Sequence, residues 1–310
     1  MRTTTPPASG GGTSAPRRTT GPRDARESGT LGGSGGFGGL GGFGSSGGFG
    51  GLGGFGSSGG SGGLGGFAGA VASEWTKLWS VRAPYLCLLG GLAVTAAFTF
   101  YYASIARINA HPVEPVGNAA ASSAVLTQFA VVVLATVAVT SEYANGSVRA
   151  SLLWMPRRHR VQVAKALVAA VVAFGAGLVY AAVGAAVAWG AFGGRASYDA
   201  GTEAGQILGV GLYLAFVAVL TTGVAFATRH PAGALSILIA LLWALPSVLL
   251  GLGGAALAAV NDYLPHGAGD HFLRAGVGTP YGPGTAVALV AAWAAAAHLA
   301  GLYVLRRRDA

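Results

Sequence analysis

Residues 166–192 read ALVAAVVAFGAGLVYAAVGAAVAWGAF, a run of 27 residues that contains no charged side chain. A helix needs roughly 20 predominantly apolar residues to cross the hydrocarbon core of a bilayer. The run is therefore long enough to span a membrane, and its alanines and glycines allow close packing against neighbouring helices. This stretch indicates that the chain is an integral membrane protein.

The same pattern recurs on both sides of this run. Five further apolar segments also lack Asp, Glu, Lys and Arg, each of which would cost about 2.5–3.5 kcal/mol at the centre of a spanning helix. The chain is therefore predicted to be an all-α polytopic membrane protein with six transmembrane helices. Their approximate positions are 85–104, 119–140, 166–192, 207–228, 232–260 and 284–305.

The fifth segment is longer than a single span requires. It contains Pro246, which removes a backbone donor from the interior of a helix. We expect either a kink at Pro246 or a second, shallower helix after Gly251.

The composition agrees with a membrane protein. Of the 310 residues, 52% are hydrophobic and 9% are charged, whereas a typical soluble domain has about 25% charged residues. The formal charge of +9 does not arise from one basic surface interleaved with aromatic residues, so no nucleic-acid partner is predicted. A single cysteine, Cys87, excludes an intramolecular disulfide and a cysteine metal cluster.

The basic residues lie in short clusters beside the apolar segments. If the N-terminus is cytosolic, eleven of them flank the spans on the inner side, and only Arg107, Arg195 and Arg274 lie outside. Because positive residues concentrate on the cytoplasmic side, both termini are predicted to be cytosolic. The excess of arginine over lysine, with abundant alanine and glycine, indicates a bacterial plasma membrane. The eleven residues are Lys77, Arg82, Arg149, Arg157, Arg158, Arg160, Lys165, Arg229, Arg306, Arg307 and Arg308.

Residues 1–66 differ in character from the rest of the chain. The sequence GGFGGLGGFGSS occurs at 35–46 and again at 47–58. A tract this rich in Gly and Ser buries too little apolar surface to offset the entropy lost when a backbone is ordered. We therefore predict a disordered tail over 1–66 and a transmembrane domain over 67–310.

The segment before the first span, VASEWTKLWSVRAPY at 71–85, predicts an interfacial helix. Glu74 and Lys77 can pair one turn apart, Trp75 and Trp79 suit the headgroup layer, and Pro84 permits a bend into the span. The alternative is a simple helical extension of the first span. Helical spacing separates two faces, Val71, Trp75, Leu78, Trp79 and Arg82 on one side and Ser73, Glu74, Thr76, Lys77 and Ser80 on the other.

The loop between the second and third spans, SEYANGSVRASLLWMPRRHR at 141–160, is the longest cytosolic segment that combines basic, aromatic and helix-compatible residues. Gly146 permits a turn, and a short helix can end before Pro156. Basic and apolar side chains on such a helix can bind a partner protein. The alternative is a loop that sets topology and binds anionic lipid. The residues expected to matter are Glu142, Gly146, Arg149, Leu152, Trp154, Pro156 and Arg157.

Several kinds of chemistry are missing from the sequence. The only lysines, Lys77 and Lys165, do not lie in a P-loop, so this chain has no such ATP site. His298 lies in the last span and could suggest an intramembrane serine protease, but no G-x-S-G occurs to supply the serine nucleophile. His266, Asp270 and His271 are close in sequence without the spacing of a metal site. We therefore predict no catalytic residue, no cofactor and no metal on this chain, which is not expected to be an enzyme.

The segment SEWTKLWSVR, six spans, the loop at 141–160 and the terminal RRRDA, in this order, resemble the membrane permease subunit of type-2 ABC transporters, in particular small bacterial exporter-like members. The resemblance covers roughly 69–310. It implies that the loop contacts a separate cytosolic ATPase and that a second permease subunit completes the pathway. It also implies an extracellular hairpin over 252–283, which includes Tyr263, Leu264 and Pro265.

The predicted function is therefore that of a permease subunit in the bilayer, driven by ATP bound to a partner subunit and exporting an unidentified substrate. Two alternatives stay open at this point. One is a membrane scaffold, sensor or lipid-interacting protein without an ATPase, and the other is a membrane-embedded enzyme.

Overall fold

A computed structural model describes residues 64–144, 158–274, 278 and 280–307 of the chain. The predicted tail lies outside these residues except for 64–66, which form the start of the first helix. The helices in the described part are α1 (Leu64–Trp79), α2 (Ala83–Ile108), α3 (Val116–Ala144), α4 (Arg158–Phe192), α5 (Ala200–Thr228), α6 (Pro231–Ile239), α7 (Leu245–Leu252), α8 (Ala255–Asp262), α9 (Pro265–Leu273) and α10 (Pro283–Arg307).

Six helical stretches in the described part are long and apolar enough to cross a membrane. They are α2, α3, α4, α5, the continuous stretch Pro231–Leu252 and α10, which confirms the predicted fold class. Two-residue strands, β1 (Glu114–Pro115) and β2 (Ala196–Ser197), pair in parallel between the loops after α2 and α4. These strands mark one end of the bundle, here named the α9 end. The opposite end, where α1 lies, is named the α1 end.

The helix α1 is separate from the first span. It ends at Trp79, a turn follows at 80–82, and α2 begins at Ala83 with Pro84 in its first turn. Proline is tolerated there because the first N–H groups of a helix have no partner within the helix. The predicted interfacial helix is thus distinct from α2, and it packs against α4 as well as α2.

The fifth span ends earlier than residue 260. A π-helical turn, Ala240–Ala244, ends two residues before Pro246. It includes Leu242, whose carbonyl would accept a hydrogen bond from residue 246 in a regular helix, but proline has no N–H to donate. Gly253 and Gly254 then take positive φ angles of 73° and 97°, which stop the helix. The predicted second helix after Gly251 is confirmed as α8, with α9 following it.

The core of the bundle surrounds α5. This helix packs against α3, α4, α6, α9 and α10, and Tyr213, Leu214 and Val217 on it are almost completely buried. Two glycines permit the close approach of backbones. A Cβ on Gly223 would lie 2.4 Å from the carbonyl carbon of Ala297 on α10, and one on Gly177 would lie 2.7 Å from the backbone of α5.

Candidate functional site

Four charged side chains meet at the α1 end and form a charge cluster: Glu74, Lys77, Glu142 and Lys165. Nζ of Lys77 donates to Oε1 of Glu74 at 2.7 Å and to Oε1 of Glu142 at 3.1 Å. Nζ of Lys165 donates to Oε2 of Glu74 and, at 3.1 Å, to the same oxygen of Glu142. Each ammonium group therefore bonds both carboxylates, and the four formal charges cancel.

The charge cluster joins three helices. Glu74 and Lys77 lie on α1, Glu142 lies in the last turn of α3, and Lys165 lies two turns into α4. The end of α1 is fixed locally, because the backbone oxygen of Lys77 accepts from N and Oγ of Ser80 at 3.3 and 2.7 Å. The cluster consequently brackets residues 145–157, the segment that connects α3 with α4.

Most of the charge cluster is buried. The side chains of Glu74 and Lys165 are each 6% exposed and that of Glu142 is 13% exposed, whereas Lys77 is 46% exposed. Lys165 also donates to the backbone oxygen of Ala138 at 3.1 Å. A buried charge is tolerated when it is paired and hydrogen-bonded, and removing one partner typically costs about 3–5 kcal/mol. The geometry therefore makes Lys165 the central residue of the cluster.

The two charges on α1 titrate away from their ordinary ranges. Burial alone would raise the pKa of Glu74, but the ammonium groups of Lys165 and Lys77 outweigh it and hold the pKa below 4.5. Burial alone would lower the pKa of Lys77, but Glu74 and Glu142 raise it above 10.5. Glu74 therefore stabilises the fold above its unfolded pKa, and Lys77 does so below its own, so both contributions are present at neutral pH.

A cavity of about 670 Å³ lies beside the charge cluster. Its walls are mostly apolar and come from α1, α2, α3 and α4, with Leu78, Pro84, Leu134 and Val168 among them. A volume of several hundred Å³ with apolar walls and a few converging polar groups is typical of a small-molecule site.

The structure brings together three of the residues singled out in the sequence, Glu74, Lys77 and Glu142. The predicted pairing of Glu74 with Lys77 is confirmed. The predicted faces of α1 are wrong, because Glu74 and Leu78 are both buried on the face toward the bundle. They lie four residues apart and so share one side of the helix. Trp75, which was predicted to lie in the headgroup layer, is 43% exposed.

The other residues predicted on α1 lie at its outer side and end. The Trp75 and Trp79 rings meet edge to face with centroids 5.8 Å apart, and Trp79 also contacts Tyr85. Arg82 is exposed in the turn before α2. Six residues predicted in the coupling loop lie outside the described residues: Gly146, Arg149, Leu152, Trp154, Pro156 and Arg157.

Lys165 was counted only as a basic flanking residue in the sequence, although it is the most enclosed member of the charge cluster. A usable signal was present. The chain has only two lysines among 19 basic residues, and both of them lie in the cluster. Lysine extends a single charge on a flexible stem, and its three donors suit a site with several acceptors.

A second polar group lies at the α9 end. Nε2 of Gln206 on α5 donates to Oδ1 of Asn118 at 2.7 Å and to the backbone oxygen of Leu273 at 3.2 Å. These contacts attach the end of α9 to α3 and α5. In the same region Nε2 of His271 lies 3.0 Å from Oδ1 of Asp262.

The three polar residues noted on α9 do not act together. His271 pairs with Asp262, whereas Oδ1 of Asp270 lies 2.7 Å from Nε of Arg274. Burial lowers the pKa of His266 below 6.5, although the charge of Asp270 opposes this effect. Of these contacts, the His271–Asp262 pair joins α9 to α8, whereas the Asp270–Arg274 pair lies at the C-terminal end of α9 itself.

Comparison with protein families gives one match. A family model described as ABC-2 family transporter protein matches residues 70–247, which is more than half of the chain. No curated protein matches the chain. The matched range begins within α1, ends within α7 and includes all four residues of the charge cluster.

Proposed function

Because the chain belongs to the ABC-2 family of transporter proteins, we propose that it is a permease subunit driven by a separate cytosolic ATPase and working in export. Membership of this family makes the chain a membrane component of an ABC transporter. The first part of the proposal concerns the energy source of transport. These 310 residues contain no P-loop, which supports the proposal that ATP is hydrolysed on another subunit.

The charge cluster carries this proposal. Residues 145–157 begin three residues after Glu142 and end eight residues before Lys165, and both of these residues bond to α1. A force applied to this segment by a partner therefore reaches α1, α3 and α4 together. Coupling free energies between sites are typically about 1–3 kcal/mol, which is no more than the cost of breaking one buried charge contact.

A second permease subunit completes the proposed assembly. The interior of one chain is filled by the side chains packed around α5. Close-packed interiors leave no continuous path for a substrate. We propose that the pathway forms where two permease subunits meet in a bacterial plasma membrane, with the α1 end in the cytosol. The positive-inside distribution of basic residues supports this orientation.

The coupling loop is tested by replacing Arg149 and Arg157 with alanine together, and Trp154 with alanine separately. The tagged full chain is purified from its native membranes, and the ATPase retained per permease and the rate of ATP hydrolysis are measured. We expect both quantities to fall, while the amount of inserted permease is unchanged. Arg195→Ala, at the opposite end of the bundle, is the matched control. Unchanged ATPase retention and hydrolysis in both loop variants would reduce the loop to a topology signal.

The orientation is tested by cysteine accessibility in a chain whose Cys87 has been replaced by alanine. Ser80 lies at the α1 end and Ser197 at the α9 end, and both are exposed. An impermeant thiol reagent outside intact cells is expected to label Ser197→Cys and not Ser80→Cys. The opposite pattern would reverse the proposed topology without affecting the family assignment.

A further inference from the structure

We propose that the cavity beside the charge cluster binds one zwitterionic aminophospholipid, such as phosphatidylethanolamine, from the leaflet in which α1 lies. The acyl chain occupies the apolar part of the cavity, and the headgroup lies against Lys77 and Glu142. This inference goes beyond the proposed function and does not depend on an ATPase partner.

The apolar part of the cavity suits a hydrocarbon chain. Its volume of about 670 Å³ lies between α1 and the spans, with Leu134 and Val137 of α3 facing it alongside Val168 and Ala169 of α4. An unfilled apolar cavity of this size gains no favourable contacts, and water filling it would leave apolar surface hydrated. A hydrocarbon chain is the filler that a bilayer supplies.

The opening of the cavity lies at the depth of lipid headgroups. Ser80 and Val81, in the turn between α1 and α2, line the cavity and are exposed. Next to them, the Trp79 and Tyr85 rings lie with their centroids 5.2 Å apart. Tryptophan and tyrosine concentrate at the interface between headgroups and hydrocarbon. A lipid from the surrounding leaflet therefore reaches the cavity without leaving its normal depth.

The charges at the cavity select the headgroup. Lys77 is the accessible ammonium group of the charge cluster, at 46% exposure, and Glu142 is its more accessible carboxylate, at 13%. A phosphate beside Lys77 and a lipid ammonium group beside Glu142 extend the alternation of charges that the cluster already has. A purely anionic headgroup would place a second negative charge next to Glu142 and Glu74, and the four described charges of the cluster sum to zero.

The first test uses the purified full chain and phosphatidylethanolamine with a photoreactive diazirine in its acyl chain. After irradiation, peptide mass spectrometry locates the adducts, which we expect on 134–141 and 165–169. We expect unlabelled phosphatidylethanolamine to compete about fivefold better than phosphatidylglycerol, the ratio given by about one exposed charge contact. Equal competition by both lipids would overturn the proposed headgroup.

The second test fills the cavity. Val137→Phe places an aromatic ring in it, and we expect photolabelling to fall at least about fivefold, because the acyl chain and the ring need the same volume. Val133→Phe is the matched control, one turn away on α3, 37% exposed and not part of the cavity wall. Both variants are compared as inserted, monodisperse protein.

Other occupants give distinct outcomes. Glu142→Gln removes the carboxylate beside which the lipid ammonium group lies, and it is expected to remove the preference over phosphatidylglycerol while labelling persists. Equal labelling of Val137→Phe and Val133→Phe would overturn the site. A second photoreactive group, placed by substitution at Val137, distinguishes the remaining occupants. Crosslinks from it to residues 1–63 or to a second copy, in place of lipid, would likewise overturn the proposal.

Discussion

The two ends of the bundle use polar side chains in different ways. At the α1 end, four full charges bond directly to one another and their sum is zero. At the α9 end, the buried contact between helices is made by amides and a backbone carbonyl, with Gln206 bonded to Asn118 and Leu273. The buried contacts at the α1 end are therefore ion pairs, whereas the buried amide contact at the α9 end is neutral and the Asp270–Arg274 pair there is one-third exposed.

The difference determines what each end can do. A neutral hydrogen bond contributes only about 0.5–1.5 kcal/mol net, since water can replace either partner. A buried ion pair cannot be opened without a much larger cost. We therefore expect the α1 end to move as one unit and the α9 end to open and close more easily. In an ABC transporter permease, these properties suit an end that receives force and an end that releases substrate.

The largest loss of stability is expected from a substitution at the α1 end. Lys165→Met removes the buried ammonium group that bonds both Glu74 and Glu142. We expect the free energy of unfolding to fall by about 3–5 kcal/mol, measured by denaturant unfolding in detergent micelles. Arg274→Met is the matched control at the α9 end, where the pair with Asp270 is one-third exposed and contributes less than about 1 kcal/mol. Equal losses in both variants would remove the distinction between the ends.

A smaller effect is expected from the buried amide at the α9 end. Gln206→Leu removes the donor to Asn118 and Leu273 while keeping a similar volume. Loss of these two buried hydrogen bonds should lower the free energy of unfolding by about 1–3 kcal/mol. Hydrogen exchange should rise locally in 265–273 and stay unchanged in 70–79. Faster exchange in both segments would show that the two ends are not independent.

Much of the fold could be predicted from the sequence, because the patterns that determine it are local ones. The six spans follow from runs without charge, and the break in the fifth segment follows from its excess length and from Pro246. The pairing of Glu74 with Lys77 follows from their spacing of one helical turn. The exact first and last residues of the helices were harder to predict, since α4 and α5 extend beyond their apolar runs into polar residues.

The charge cluster itself could not be predicted from the sequence. Lys165 is 91 residues from Glu74, and Lys77 is 65 residues from Glu142. No periodicity connects partners at such distances, and they meet only because α1 packs against α4. The attachment of α9 through Gln206 has the same origin, with 67 residues between Gln206 and Leu273.

Acidification of the unsubstituted protein should loosen the two ends of the bundle at different pH values. His266 is half-buried and its pKa is lowered because protonation is unfavourable in the folded state, so its contribution to stability is complete above pH 6.5 and is lost as the pH falls through the folded pKa. Glu74, whose pKa is held below 4.5, loses its contribution only at lower pH. Hydrogen exchange, corrected for intrinsic rates, should therefore increase first in 265–273 and later in 70–79. His266→Gln should abolish the first step, and simultaneous loosening of both segments would contradict this order.

The smallest expected effect concerns the exposed member of the charge cluster. Lys77→Ala removes the contacts of Lys77 with Glu74 and Glu142, but the side chain is 46% exposed and Lys165 remains bonded to both carboxylates. We expect a loss of less than about 1 kcal/mol in the free energy of unfolding. A loss as large as that of Lys165→Met would show that burial does not rank the two lysines.

The central claim is that the charge cluster transmits force between the 145–157 segment and α1, and one variant tests it most directly. Glu74→Gln combined with Lys165→Met removes one charge of each sign and leaves the bonded Lys77–Glu142 pair. We expect most of the stability lost in Lys165→Met to return, since no buried charge stays unmatched. ATP hydrolysis by the complex reconstituted in vesicles should nevertheless stay about fivefold or more below wild type, the scale of a typical coupling free energy. Wild-type hydrolysis in this stable double variant would contradict the account and leave the cluster with a purely structural role.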